Sequence, residues 1–95
     1  MAVYKLSKEM EIGGEMKKEI EYDLDSLTGM DVAKAIRDLA NQNIIVTMTE
    51  TDQNYHAAIF AAASGLMLEE VQKFPLKDFV AVCNKVRNFF LSESE

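Results

Sequence analysis

Few side chains in this sequence could do chemistry: one histidine, one cysteine, an adjacent Glu69-Glu70 pair and a Gly13-Gly14 step. His56 stands beside Tyr55 with no second histidine and no nearby cysteine, so the three or four convergent ligands of a metal site are missing. A surface or capping histidine is the expectation. Cys83 falls on an apolar helical seam, where a cysteine acts as a small buried hydrophobe, and no cation beside it would hold a thiolate. A Cys83–His56 nucleophile and base would need the fold to join two separate helices. Glu69-Glu70, or the acidic face of residues 3–24, could serve as paired carboxylates only in a shielded site that splits their pKa values, and both read as solvated. Gly13-Gly14 is followed by no helix N-terminus and no GK[ST], so it is a turn and not a phosphate cradle. The expectation is a chain with no catalytic residue, no cofactor and no metal.

Composition then says what the chain can bind. Of 95 residues, 48% are hydrophobic and 27% charged, the balance of one globular domain. Sixteen acidic against ten basic residues give a net charge of −6. Nucleic-acid binding gains affinity from a basic patch that displaces phosphate counterions, and the longest basic cluster, Lys17-Lys18, sits among Glu15, Glu19 and Glu21. No apolar run approaches the roughly 20 residues that cross a bilayer, and the first residues lack the apolar core of a signal peptide. One cysteine cannot form an internal disulfide. These features point to a cytosolic protein with peptide surfaces as partners, and away from nucleic acid and membrane. The six methionines suit an adaptable binding surface, but Met10, Met16 and Met30 fit a core equally well.

The elements follow from periodicity. Tyr4, Leu6, Met10, Ile12, Met16, Ile20, Tyr22 and Leu24 hold even positions among charged odd ones, which predicts a β-hairpin over 3–24 with one wet face. A two-residue Gly-Gly turn would oppose Ile12 to Glu15 and set apolar against charged throughout. A three-residue loop with Gly14 left-handed pairs Met10 with Met16, Leu6 with Ile20 and Tyr4 with Tyr22, and is the expected register. A first helix starts at Thr28, capped there with help from Asp31, and carries Met30, Ala33, Ile36, Leu39 and Ala40 to about Asn41. The β-branched Ile44-Ile45-Val46 is a short strand or an ordered connection. A second helix runs from about Asp52 to Ser64 and ends at Gly65, with Ala57 to Ala63 apolar on every side. Such a helix is central in its own domain or covered by a neighbour, and full enclosure is hard to achieve in so short a chain. After a helical turn, Leu68 to Lys73, Pro75 interrupts before a last helix over Leu76 to Leu91. Its seam, Leu76, Phe79, Cys83, Val86 and Phe90, is widened by Val80, Val82 and Phe89 to about half the circumference. Ser92 to Glu95 read as a frayed polar tail. The fold class is α+β, mainly α: an N-terminal β-hairpin, three main helices and a short helical turn in a single domain over 1–95, with its helical part at 28–91.

The ordered motifs resemble the small tail assembly chaperones of long-tailed bacteriophages. Leu27-Thr28-Gly29-Met30-Asp31 opens a helix containing Ala35 and Arg37. Tyr55 leads an alanine-rich helix ending Ala62-Ala63-Ser64-Gly65-Leu66. Glu69-Glu70 precedes Phe74-Pro75-Leu76-Lys77-Asp78-Phe79, and Val82, Asn84, Val86, Phe89 and Leu91 close the set over about residues 20 to 91. The resemblance implies a non-enzymatic role in the cytoplasm of the bacterial host. Members coat the tape measure protein, bring tail tube protein to it and are absent from the mature virion; many are also made in a longer, frameshifted form. The alternatives are a small tail or connector protein retained in the virion, or an acidic protein-binding regulator. Excess apolar surface on 57–63 and 76–90 predicts a homo-oligomer. Phe60, Phe79, Val82, Val86 and Phe89 are the candidate client-binding residues, undivided between core and surface.

Overall fold

The computed structural model describes residues 2–46 and 52–93. Strands β1 (Ala2–Ile12) and β2 (Glu15–Tyr22) form a two-stranded antiparallel sheet, followed by helices α1 (Gly29–Asn41), α2 (Gln53–Ser64), α3 (Leu68–Gln72) and α4 (Leu76–Glu93). The expected α+β class, mainly α, is what the chain adopts.

The hairpin register differs from the expected one. Ile12 pairs with Glu15, Glu11 with Met16 and Met10 with Lys17, so the turn has two residues. Gly13 and Gly14 both take positive φ, 62° and 85°, as a type I′ turn requires, and that turn matches the right-handed twist of the strands. The parity cost that argued against it is removed further along. Beyond the turn the ladder breaks between Met10 and Lys5, then resumes with Lys5 opposite Glu19, Tyr4 opposite Ile20 and Ala2 opposite Tyr22. Four β1 residues, Leu6 to Glu9, thereby face the single Lys18, and the odd shift restores even-to-even pairing. Leu6, Ile12, Ile20 and Tyr22 are buried, but Met16 is left 62% exposed opposite Glu11 and is not a core residue.

This turn sets an expected result. Neither glycine has a heavy atom within 4 Å of where a Cβ would stand, so substitution there costs backbone strain alone. Gly13→Val and Gly14→Val should each destabilise the protein by about 1–2 kcal/mol in urea denaturation, and Gly13→Asn much less. Sensitivity at Gly14 alone would restore the three-residue loop.

Helix α1 begins as expected: the Asp31 carboxylate accepts from the Thr28 backbone N–H at 2.8 Å and from the Thr28 hydroxyl at 3.2 Å. It ends in a Schellman arrangement around Asn43, whose φ is 62°. The Asn43 N–H donates to the Ala40 carbonyl at 2.9 Å and the Ile44 N–H to the Leu39 carbonyl at 3.0 Å. Ile44 to Val46 are therefore a connection and not a strand; the expectation for the residues after Val46 lies outside the described ones. The buried face of α1 is Val32, Ala35 and Leu39, with Val32 half-buried, and Met30, Ala33, Ile36 and Ala40 stay exposed. The expected face was rotated toward solvent because it omitted Val32 and Ala35.

Helix α2 is capped by Asp52, which accepts from the Asn54 and Tyr55 N–H groups, and is closed by Gly65 in the left-handed conformation. Every residue from Tyr55 to Ala61 is buried. One short chain does enclose this helix, with α1, α3, α4 and β2 packed around it, because Ala57, Ala58 and Ala61 let the neighbours approach closely. Its apolarity is thus spent inside the domain and gives no reason for association. Pro75 opens α4, accepting from the Phe79 N–H at 2.9 Å, and the helix runs on through Glu93, past the point where a frayed tail was expected.

The hairpin is tied to α4 by Asp78, which is fully buried. Its carboxylate accepts from the Tyr4 hydroxyl at 2.6 Å, the Ser7 hydroxyl at 2.7 Å and the Ser7 N–H at 3.0 Å. Ser7 lies in the stretch where the ladder is broken, so Asp78 takes up a backbone donor that β2 does not.

Candidate protein-binding groove

The residues singled out for chemistry have packing and capping duties. His56 is 1% exposed, which corrects the expected surface position, and its ring lies 6.1 Å from those of Tyr55 and Phe90. Burial raises the pKa of the Tyr55 phenol. The buried Cys83 thiol lies 3.5 Å from the Gln53 carbonyl, and burial pushes its pKa up to about 12, which keeps it neutral and poorly nucleophilic. Glu69 is exposed, and Glu70 accepts from the Met67 N–H at 2.9 Å to cap α3. The described residues contain no group of three or more His, Cys, Asp and Glu placed to hold a metal ion.

The five candidate binding residues divide sharply. Phe60, Val82 and Val86 are 0% exposed. Phe60 is the centre of the core, with its ring 5.1 Å from Tyr22 and 6.4 Å from Phe74. Phe79 and Phe89 are half-buried. Phe89 meets Phe90 edge to face at 6.0 Å, and Phe90 in turn stacks on Tyr55 at 5.9 Å.

Phe89 and Phe90 form one wall of a groove of about 400 Å³. Leu24 and Leu27, in the link between β2 and α1, form the opposite wall with Val32, and Ile59 of α2 is at its floor. Asp25 is its one charged lining residue. A shallower recess of about 490 Å³ adjoins it, sharing Leu24, Asp25 and Phe89 and adding Asp23 and Lys85. A larger recess of about 680 Å³ lies between the end of α1 and the α2–α3 link, but Lys34, Asp38, Asn41, Gln42 and Glu69 make it polar. Apolar recognition favours the Phe89 groove. Of its lining, Phe89 was expected, whereas Leu24, Leu27 and Phe90 were not singled out for binding. Leu27 sits in a link with no periodicity, so only an unexplained leucine next to a helix cap could have pointed to it.

No helix among the described residues is long and apolar enough to cross a membrane. No curated protein and no solved structure shows significant similarity to the chain. Residues 3–91 do match one family, described as phage tail assembly chaperone proteins, E, or 41 or 14. Because that match runs from the start of β1 to Leu91 in α4, the chain belongs to the phage tail assembly chaperone family.

Proposed function

We infer that the protein acts without catalysis on the tape measure protein, keeps it soluble and helps recruit tail tube protein to it. It would do so as a homo-oligomer in the host cytoplasm and leave before the virion is complete. The observation that carries the reading is an apolar groove, walled by Phe89 and Phe90, on a domain with net charge −6. An amphipathic client helix offers apolar side chains at i, i+3, i+4 and i+7, and a groove between a helix and a loop accepts such a stripe. The acidic remainder keeps chaperone and client dispersed.

Co-expression with a tape measure protein tests this. The wild-type chain should keep the client in the soluble fraction, and Phe89→Ser should abolish that while retaining the helical circular dichroism spectrum. Loss of an aromatic anchor costs about 2 kcal/mol, roughly thirty-fold in affinity. Moderate salt should weaken the complex only slightly, because apolar contact is not screened. Full rescue by Phe89→Ser, or dissolution by salt alone, would remove the groove from the reading. Mass spectrometry of purified particles separates a chaperone from a retained tail subunit, since the chaperone should be depleted.

A further inference from the structure

Helix α1 carries a second apolar stripe beside the one it buries. At about 100° per residue, Met30, Ala33, Ile36 and Ala40 fall within one arc next to Val32, and Arg37 falls among them. Met30 is 83% exposed and Ile36 42%, and both alanines are exposed. On a strongly charged domain, such a run of uncovered apolar side chains marks a contact surface. Alanines at 33 and 40 would let another backbone come close.

The groove is the other uncovered apolar surface, and the two share α1. Val32 lines the groove, and Ile36 is one helical turn further along. Their charges are opposite. Asp25 is the charged residue of the groove and Arg37 lies within the stripe. Among the described residues the ion pair formed is Lys34–Asp38, at 2.8 Å, so neither Asp25 nor Arg37 has an ionic partner within its own chain.

We propose that a second copy of this chain covers the groove: the outer stripe of one copy's α1 seats against Leu27, Phe89 and Phe90 of the other, with Arg37 opposite Asp25. Because stripe and groove are parts of one patch, each copy supplies both halves of the contact. A two-fold axis then closes the assembly as a dimer. The groove is thereby shielded from water and from unrelated apolar surfaces until something binds it more tightly. That a client helix is what displaces the second copy rests on the function proposed above; the interface itself does not.

The test uses the purified full chain with no client, by sedimentation equilibrium across the micromolar range. The wild type should be a dimer. Asp25→Arg and Arg37→Asp should each weaken dimerisation by about tenfold or more, through two symmetry-related like-charge contacts. Both changes together should restore it to within about threefold of the wild type, since the pair is re-formed with its signs exchanged. Asp25 and Arg37 are exposed, so circular dichroism should be unchanged in all three. Met30→Glu provides a second check from the apolar side and should dissociate the dimer. A monomeric wild type, single variants that dimerise normally, or a double variant no tighter than the singles overturns the proposal. None of these results touches client rescue, which is measured separately by co-expression.

Discussion

Replacing Phe60 with Ser is expected to remove the cooperative unfolding transition, or to move it to less than half the wild-type urea midpoint. Phe60 has no exposed surface, and its ring packs between those of Tyr22 on β2 and Phe74 before α4. Truncating a buried phenylalanine costs about 3–5 kcal/mol in lost transfer energy and residual cavity. A domain of this size has total stability toward the low end of roughly 5–15 kcal/mol, so that loss is most of it. Val82→Ser and Val86→Ser remove less apolar surface and should cost about 1.5–3 kcal/mol each. Phe89→Ser, at a half-buried site on the groove wall, should unfold close to the wild type. Urea titrations of the four variants read this order directly. If Phe60→Ser unfolds at the wild-type midpoint, the core is not centred on α2.

The same contrast shows what the sequence made legible. Element positions could be read, because each has a local signal: Thr28 with Asp31 at one cap, Asp52 and Gly65 around α2, and Pro75 before α4. The hairpin was legible as an alternation, but not its register. Parity alone favoured a three-residue loop, and the alternative needed a second irregularity at Leu6 to Glu9 that no residue type announces. What holds that irregularity is Asp78, far away in sequence, so the strand and its anchor could not be linked by local reasoning.

Burial was harder to read than position. The apolar residues of α4 were visible as a wide seam, yet nothing in their spacing separates Val82 and Val86, which face α2, from Phe89 at the groove. The enclosed α2 seemed to require a neighbouring chain. Its alanines instead let four elements of one chain close around it, which moves the uncovered apolar surface to α1 and to the groove. The groove itself depends on Leu24 and Leu27 in a link without periodicity, and its shape exists only once α1 and α4 are packed.

The second large effect is expected at Asp78. Asp78→Ala removes the acceptor for the Tyr4 hydroxyl, the Ser7 hydroxyl and the Ser7 N–H, and leaves the broken ladder without its anchor. Hydrogen bonds to a charged group contribute about 1.5–3 kcal/mol, and Ser7 is exposed enough for water to replace part of the loss. A cost of about 2–3 kcal/mol around pH 7 is therefore expected from urea denaturation. The pH dependence tells charge from shape. Burial alone would raise the Asp78 pKa, but the bonds from Tyr4 and Ser7, with the nearby Lys77, outweigh it and hold the carboxyl below its ordinary value of 3.8. The unfolded chain thus takes up a proton at Asp78 before the folded one does. The resulting stabilisation is present above roughly pH 4 and is lost as pH falls through the depressed folded value. Tyr4 gives the opposite limb. Burial, the bond to Asp78 and its charge raise the phenol from 10.0 to about 12, so its contribution is complete below pH 10 and is lost as pH rises toward 12. Asp78→Asn should flatten the acid limb, and Tyr4→Phe should shrink the alkaline one while Cys83 and Tyr55 sustain the rest. An acid limb that survives unchanged in Asp78→Asn would show that this carboxylate does not tie the hairpin to α4 as an anion.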